Sequence, residues 1–365
     1  MNQTTDTRSF GRKLVERVVT TLAIYHVLAI SIFIGLIVTT FAMAAIVAAF
    51  ASTDTSELSE TKTIYGTGSY QLLSIPINGV IVGSSDEMGG DFLGSLGSMT
   101  AGYDVKDQLY KAADANFVAG VILEINSPGG TIYGAHAIAD GVKYYREKTQ
   151  RPVYTHISGT GASGGYWAAV SANKVYGDYG SLIGSIGVIM GPFQYYDGLV
   201  AEDGGLLGSG VVTQNGIESY YISAGNGKDA GSPYRRLTAE ELNVFQSSIN
   251  KEYDLFVAHV AKSRGISPET IRSQIGAHAY DPMTAKELKL IDAIGSKQAA
   301  YQALAEEAEI GNDYQVVQDK PLPGFVESLL GAKNDKTPVP LSQFPLCQGR
   351  SVLAYQGDLR TICSQ

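Results

Sequence analysis

The longest apolar stretch of the chain lies near its beginning. Residues 18–51 contain no Asp, Glu, Lys or Arg. A helix over this stretch would extend about 50 Å, compared with about 30 Å for the hydrocarbon core of a bilayer. The stretch therefore predicts one membrane-spanning helix that is tilted or has its ends in the headgroup region. A cleaved signal peptide is the alternative, but its apolar core would have only about 7–15 residues.

From residue 70 onward, strand-like and helix-like segments alternate. The strand-like segments are rich in Ile, Leu and Val, whereas the helix-like segments repeat apolar residues every three or four positions. The predicted strands are 71–82, 118–126 and 153–157, and the predicted helices are 104–115, 133–148, 162–172 and 281–288. A longer helix begins at a capping box, Thr238 with Glu241, and ends before Gly265. This alternation predicts an α/β fold with largely parallel strands.

Composition divides the chain into five parts. The apolar stretch separates a short N-terminal part from a linker rich in Ser, Thr and Gly, and a Pro-rich region follows the alternating segments. The predicted parts are an N-terminal segment 1–17, a transmembrane anchor 18–51, a linker 52–69, a folded domain 70–310 and an irregular C-terminal tail 311–365.

The distribution of charge predicts the orientation of the anchor. Residues 1–17 contain four basic and two acidic side chains. By the positive-inside rule, the N-terminus is cytoplasmic and everything after residue 51 lies on the outer side of the membrane. The whole chain has 27 basic and 36 acidic side chains, a net charge of −9, which argues against nucleic acid as a partner.

Cysteine and metal-ligand patterns add little chemistry. The two cysteines, Cys347 and Cys363, both lie in the predicted tail. On the oxidising side of a membrane they could form a disulfide that closes a short terminal loop, and two buried thiols are the alternative. His, Cys and Asp residues do not cluster at metal-ligand spacing in the sequence, so no metal and no cofactor are expected.

A Gly-rich run, Ser158-Gly-Thr-Gly-Ala-Ser-Gly-Gly165, follows a predicted strand and precedes a predicted helix. Small residues at such a turn lift the hydroxyl of Ser163 clear of the backbone and let a carbonyl group approach. The run matches both the nucleophile elbow Gly-x-Ser-x-Gly and the dinucleotide fingerprint Gly-x-Gly-x-x-Gly. The dinucleotide interpretation needs an acidic residue about 20 positions further along, and Asp178 falls short of that position.

A second glycine-containing segment, Asn126-Ser-Pro-Gly-Gly130, also lies between a predicted strand and a predicted helix. One interpretation is a tight turn with no further role. The functional interpretation is that Gly129 and Gly130 direct backbone N–H groups at a reacting carbonyl. With the N–H of Gly164 they would form an oxyanion hole.

Five motifs occur in order between residues 70 and 308. They are Asn126-Ser-Pro-Gly-Gly130, Ala162-Ser-Gly-Gly-Tyr166, Gly184-Ser-Ile-Gly-Val-Ile-Met190, Ser223-x-Gly-x-x-Lys-Asp229, and Tyr280-Asp with Ile291-Asp-x-Ile-Gly295. Together they resemble the signal peptide peptidase A family of membrane-anchored serine peptidases. The resemblance implies that Ser163 is the nucleophile, Lys228 the general base and Ser185 a serine that orients the lysine.

The resemblance also implies an architecture. The expected fold is a ClpP/crotonase-like stack of β-β-α units, assembled into a ring or dome in which neighbouring subunits contribute to each active site. The chain carries one copy of the motifs, like the short form of the family, which needs more protomers to close a ring. The segment between Met190 and Lys228, including the Gly-rich part 203–216, is longer than usual for the family.

The location and the substrates are implied in the same way. The expected location is the plasma membrane of a bacterium, with the catalytic domain on the periplasmic or outer side. The implied substrates are cleaved signal peptides left in the bilayer, with misplaced membrane or secreted proteins as further candidates. The expected partners are therefore peptides, the membrane and other copies of the chain.

A lysine can act as a base only when it is neutral. Its unperturbed pKa is about 10.4, and lowering the pKa to about 7 costs roughly 4–5 kcal/mol, which burial away from water can impose. Neutral Lys228 would then take the proton of Ser163 Oγ during attack on a peptide carbonyl and return it to the leaving amine.

Three alternatives remain open from the residues. A Ser-His-Asp triad with the same serine would use His278, because His259 lies in the long helix and is expected to be packed. A non-catalytic membrane scaffold on the same fold would need neither Ser163 nor Lys228. An acyl-CoA enzyme of the crotonase type would need a cytosolic cofactor, which the predicted topology argues against.

Overall fold

The apolar stretch near the N-terminus folds into one helix, α1, Phe10–Ala51. Within it, Arg17–Val38 has 22 residues and a mean hydropathy of 2.3, so this segment is long and apolar enough to cross a membrane. The helix belongs to one compact unit, Met1–Glu57, and the second unit is Leu58–Gln365. The computed structural model describes residues 10–51, 61–84, 99–193, 195, 224–232, 235–319 and 352–355. The predicted N-terminal apolar helix is therefore present.

The second unit alternates strands and helices, as the sequence pattern predicts. Its strands are β1 Thr61–Gly66, β2 Tyr70–Val82, β3 Met99–Ala101, β4 Val118–Thr131, β5 Val153–Ala162, β6 Lys174–Gly177, β7 Leu182–Gly184, β8 Ile189–Met190, β9 Ala279–Tyr280, β10 Ala293–Ile294, β11 Tyr314–Asp319 and β12 Val352–Tyr355. Its helices are α2 Gly102–Asp114, α3 Ile132–Thr149, α4 Gly164–Ala169, α5 Ala239–Arg264, α6 Pro268–Thr270 with a π-helical turn Ile271–Ile275, α7 Pro282–Glu287 and α8 Lys297–Glu307.

The strands form one large sheet. Its main path runs in the order β1-β11-β2-β4-β5-β6-β10. Every neighbouring pair from β11 to β10 is parallel, and only β1 is antiparallel to its neighbour. The prediction of an α/β fold with largely parallel strands is confirmed.

Helices cover both faces of the sheet. Successive residues of a strand point to opposite faces, and the central strands are buried on both. Leu73 and Val121 belong to the larger core with residues of α2, α3 and α5. Their neighbours Leu72 and Ile122 pack on the other face against α8, for example on Leu304. Burial on both faces explains why these strands are continuously apolar rather than alternating.

The long helix α5 has the ends that its sequence predicts. Thr238 Oγ1 accepts a hydrogen bond from Glu241 N at 3.2 Å, and Glu241 Oε2 accepts one from Thr238 N at 2.9 Å. Gly265 ends the helix with φ 64°, a left-handed conformation that glycine adopts without strain.

One predicted turn is instead part of a strand. Asn126–Gly130 was expected to leave the sheet, but β4 continues through it to Thr131. The register shifts between Ile125 and Ser127 on the β5 side, which marks a bulge. Pro128 has no N–H to donate, and a proline is compatible with an interior strand at such an irregularity.

The sheet also reaches beyond the expected limits of the domain. β1 lies within the predicted linker 52–69 and pairs with β11, which lies within the predicted tail 311–365. The tail also contributes β12, so it is not irregular throughout. Both pairings join segments that are far apart in sequence, which local composition does not reveal. Cys347, Cys363 and the Gly-rich part 203–216 lie outside the described residues.

Candidate active site

The carboxyl ends of several strands meet at Ser163. This residue directly follows β5, and the parallel pairing of Ala162 with Gly184 brings β7 alongside it. Ser163 has φ 54° and ψ −120°, and its exposed fraction is only 1%. A non-glycine residue in such a sparsely populated conformation stores about 1–3 kcal/mol of strain, which the surrounding structure must sustain.

The hydroxyl of Ser163 is turned away from the helix that follows. A serine before a helix ordinarily accepts a hydrogen bond from the first turn, but Ser163 makes no such side-chain cap on α4. Its backbone is held instead, because Ser163 N donates to Gly184 O at 2.8 Å and Trp167 N donates to Ser163 O at 2.8 Å. Ser163 Oγ donates to Gly187 O at 3.5 Å. A buried, strained serine with a hydroxyl outside the helix network can serve as a nucleophile.

Ser185 follows the strand that pairs with the end of β5, and its predicted role in orienting Lys228 stays a prediction. It follows Gly184 and has φ 55° with an exposed fraction of 4%. Ser185 N donates to His278 O at 2.7 Å, so the segment before β9 fixes its backbone. Two serines with positive φ therefore follow the paired ends of β5 and β7.

The glycine segment of β4 borders the same place. Ser127 pairs with Gly161 of β5, and a Cβ on Gly165 would lie 2.7 Å from Ser127 O, so only glycine fits there. Gly129 N donates to Ser127 Oγ at 3.1 Å, whereas Gly130 lies in the strand between β2 and β12. Ser127 thus borders the turn at Ser163, and the role of Gly129, Gly130 and Gly164 as oxyanion donors stays a prediction.

Lys228 is not brought to Ser163 within one chain. It lies in the turn-rich segment 224–232, its side chain is exposed, and Lys228 N donates to Gly225 O at 3.2 Å. Within the described part of the chain, its ammonium group makes no hydrogen bond or ion pair. The described part of the single chain therefore brings Ser163, Ser185 and the glycine segment of β4 together, without a contact to Lys228.

The two histidines considered for a triad differ in environment. His259 Nε2 lies 3.1 Å from Trp167 O and 3.2 Å from Ser171 Oγ, and its ring stacks on Trp167. Burial lowers the pKa of His259, and the prediction that it is packed is confirmed. His278 is exposed beside Ser185, but in the described residues its side chain forms no hydrogen bond to Ser163.

One strand at the site was missed from the sequence. β12 lies antiparallel between β4 and β8, with Ala354 opposite Gly130 and Leu353 opposite Ile189. The Leu353 side chain is 1% exposed. The only signal was a short apolar run, Val-Leu-Ala-Tyr355, among polar and proline residues.

Among the described residues, no group of three or more His, Cys, Asp or Glu side chains could hold a metal ion.

Family models match this part of the chain. The model for peptidase family S49 matches residues 145–311, a range that includes Ser163, Ser185 and Lys228. The Clp protease model matches residues 93–177, which contain β4, β5 and the serine between β5 and α4. The second match confirms the predicted ClpP-like fold.

Individual proteins are similar over longer ranges. A protein of Enterococcus faecium assigned as a signal peptide peptidase SppA is 29% identical over 280 residues, covering 76% of this chain and 75% of its own. A protein of Methanocaldococcus jannaschii assigned as a protease is 32% identical over 212 residues, covering 57% of this chain and 63% of its own. A solved ClpP1 mutant from Listeria monocytogenes is 16% identical with a TM-score of 0.38, covering 62% of this chain and 93% of its own.

The family match and the strained serine coincide. The S49 match spans the nucleophile candidate between β5 and α4, and the similarity to the SppA protein extends over three quarters of the chain. The chain is therefore similar to peptidase family S49, the signal peptide peptidase A family, over the part that contains Ser163, Ser185 and Lys228.

Proposed function

We propose that the chain is a membrane-anchored serine endopeptidase with Ser163 as nucleophile and Lys228 as general base. The observation that carries the proposal is the conformation of Ser163, with φ 54°, 1% exposure and a hydroxyl that does not cap α4. Strain of this kind clusters at active sites, and a serine on a sharp strand-to-helix turn is the arrangement of a nucleophile elbow.

The proposed reaction proceeds through an acyl-enzyme. Ser163 Oγ attacks the peptide carbonyl carbon while its proton passes to the neutral Nζ of Lys228. The carbonyl oxygen becomes an oxyanion, which the N–H of Gly164 and those of Gly129 and Gly130 stabilise. The C–N bond then breaks, and the leaving amine takes the proton from Lys228. Water cleaves the acyl-serine ester by the same route and restores Ser163.

A second copy of the chain would supply the base. Lys228 is exposed in one chain, and the adjoining helix α5 exposes Leu242, Val244 and Leu255 by 51%, 57% and 58%. Covering these side chains in an assembly would be favourable by about 25 cal/mol per Å² of apolar surface. The same contact would remove Lys228 from water and lower its pKa, with Ser185 directing the amine. We infer self-association into a ring or dome.

The groove that β12 occupies supports the substrate class. An extended peptide can pair antiparallel with the end of β4 on one side and β8 on the other, as β12 does. The buried Leu353 indicates that the groove accepts an apolar side chain. Unfolded apolar peptides, such as cleaved signal peptides, have both properties. In this proposal β12 competes with substrate for the groove.

The membrane location rests on α1 and on the charges around it. Arg17–Val38 is apolar and long enough to span a bilayer, and the basic residues before it favour a cytoplasmic N-terminus. The catalytic unit would then lie on the outer side of a bacterial plasma membrane. That position gives access to peptides released into the bilayer during secretion.

The test uses the full chain in detergent with an internally quenched peptide of apolar sequence. Ser163→Ala and Lys228→Ala should each remove activity, and Lys228→Arg should not restore it because a guanidinium stays protonated. His259→Ala and His278→Ala should keep most of the activity. An inactive but folded His278→Ala beside an active Lys228→Ala would establish the triad instead. An inactive wild-type chain would favour the scaffold.

A further inference from the structure

A network of ion pairs connects the segment around Lys228 to the start of α5. Arg235 Nε and Nη2 donate to the two carboxylate oxygens of Asp229, both at 2.7 Å. Arg235 Nη1 and Nη2 donate to the two oxygens of Glu241 at 2.9 and 2.7 Å. One guanidinium thus holds the residue next to Lys228 and the first turn of α5 at the same time.

The geometry of this link requires arginine. Two bidentate interactions use the planar set of N–H donors, which the single ammonium of a lysine cannot reproduce. The hydrogen bond from Arg235 lowers the pKa of Asp229, and it lowers the pKa of Glu241 to about 2. Both carboxylates therefore remain charged and bound to Arg235 over the pH range in which a peptidase would work.

The segment around Lys228 needs such a restraint. Three glycines of this segment have positive φ: 101° at Gly225, 74° at Gly227 and 87° at Gly231. Because glycine can adopt many other backbone conformations as well, its neighbours are not held in one position by the local sequence. A lysine on such a flexible segment would occupy one position only part of the time. Fixing Asp229 to a helix 26 residues long restrains the backbone of Lys228 directly.

We propose that Arg235 is a positioning residue for Lys228. It fixes segment 224–232 to α5, and its guanidinium pairs with the negative charge of Asp229. The inference rests on the proposed function, in which Lys228 is the base. An unpaired carboxylate beside the lysine would stabilise its ammonium form and oppose the neutral form that catalysis needs. The hydrogen-bonded charged groups between this segment and the start of α5 are Asp229, Arg235 and Glu241.

The link is separate from the cap of the helix. The capping box is complete without Arg235, because Thr238 and Glu241 exchange hydrogen bonds with each other's backbone N–H. Removing the Thr238 hydroxyl therefore weakens the start of α5 while the contact of Arg235 with Asp229 remains. Thr238→Ala is the matched control for a purely structural role.

The first measurement separates kcat from KM on the quenched apolar peptide, with the full chain in detergent. Arg235→Met should lower kcat by about 100-fold and change KM by no more than about 2-fold, since misplacement by about 1 Å can have such an effect. Arg235→Lys keeps the positive charge, but its kcat should be about 10-fold lower than that of wild type because lysine lacks the planar set of donors. Thr238→Ala should stay within about 2-fold of wild type.

The second measurement is the pH dependence of kcat/KM. In Arg235→Met, Asp229 is unpaired, so the acid limb should move to higher pH by about one unit. Adding Asp229→Asn to that variant should move the limb back, although the hydrogen bonds stay lost. A merely structural role would lower activity at every pH without moving the limb.

The outcomes separate this inference from the proposed function. An inactive Lys228→Ala with an Arg235→Met near wild-type kcat would overturn the positioning role alone. An equal loss of kcat in Thr238→Ala and Arg235→Met, with an unmoved limb, would also overturn it. An active Lys228→Ala would overturn the base assignment and the positioning role together.

Discussion

Ser163 combines three properties that are rarely found in one residue. Its backbone has φ 54°, its side chain is buried, and its hydroxyl makes one long contact to Gly187 O rather than a helix cap. None of these stabilises the fold. A glycine would fit the backbone better, so the serine is explained by chemistry rather than by stability.

This explanation predicts that the residue giving the most stable fold at position 163 is not the residue that gives activity. Ser163→Gly and Ser163→Ala should both be inactive, but the glycine variant should be more stable than the alanine variant by about 1 kcal/mol, because glycine relieves the strain. Urea denaturation of the domain measures the difference. Equal stability of the two variants would mean that the conformation is not strained.

The sequence motifs predicted some site residues better than others. Ser163 directly follows β5, and the local glycine run singled it out, whereas Ser185 after β7 was predicted only from the family resemblance. Arg235 escaped notice because its partners are recognised only once α5 is folded against segment 224–232. In the proposed assembly the environment of Lys228 depends on contacts between chains, which no local pattern contains.

At the level of elements, β4 and β5 each place a titratable side chain near α8, Glu124 and His156 respectively. Glu124 accepts hydrogen bonds from Lys297 Nζ at 2.6 Å, from Ser74 Oγ at 2.9 Å and from Tyr301 Oη. Burial raises the pKa of Glu124, but the hydrogen bonds from Lys297 and Tyr301 outweigh it, so the pKa is lowered. Its neighbour His156 is fully buried, and burial lowers its pKa.

His156 predicts a loss of stability in mild acid. In the unfolded chain it takes up a proton near pH 6.5, whereas in the folded chain it stays neutral to lower pH. Stability from this group is therefore complete above about pH 6.5 and decreases as the pH falls below it. Melting temperatures between pH 7.5 and 5 should fall less steeply in His156→Gln than in wild type. Parallel curves would show that His156 does not contribute.

β12 predicts a gain of activity on mutation. Ala354→Pro removes an N–H and disrupts the pairing with Gly130, so the groove should open to substrate. We expect KM for the apolar peptide to fall several-fold while kcat changes little. A proline at an exposed position of α8, Gln298→Pro, tests for a general loss of stability and should leave KM unchanged or raise it. An unchanged KM in Ala354→Pro would show that β12 and substrate do not share the groove.

The strands differ in how much of them the sequence revealed. β2, β4 and β5 are apolar on both faces, and their existence was predictable from composition alone. β1, β11 and β12 were assigned to a linker and a tail, because their strand character comes from partners far away in the chain. The bulge in β4 was taken for a turn, since proline and glycine predict both.

At the level of the whole molecule, α5 presents the surface expected of an interface. Replacing Leu242 and Val244 together by arginine should prevent assembly, because two charges would be buried against apolar partners. Light scattering after size exclusion should show a smaller species, with activity reduced at least tenfold. Gln298→Arg on α8 also adds positive charge, but outside the proposed interface. It should leave the size of the assembly and its activity unchanged. A monomeric, fully active double variant would contradict the shared site.

The sequence predicted the apolar helix and the sheet of a single chain, but it did not predict which surface would join two chains. The apolar helix followed from the absence of charge over residues 18–51, and the parallel sheet followed from the alternation of segments. The proposed assembly depends on the exposed side chains of α5, which look like ordinary positions of an amphipathic helix in sequence. Only the folded helix shows which of them stay uncovered.

In the proposed assembly, Ser163 of one chain and Lys228 of another form one active site. Ser163→Ala and Lys228→Ala chains, each inactive alone, can be mixed in detergent under conditions that allow subunit exchange. Activity should return on mixing, because some sites then combine an intact Ser163 with an intact Lys228. Mixed assemblies that remain inactive, with exchange verified by differently tagged subunits, would contradict the shared active site.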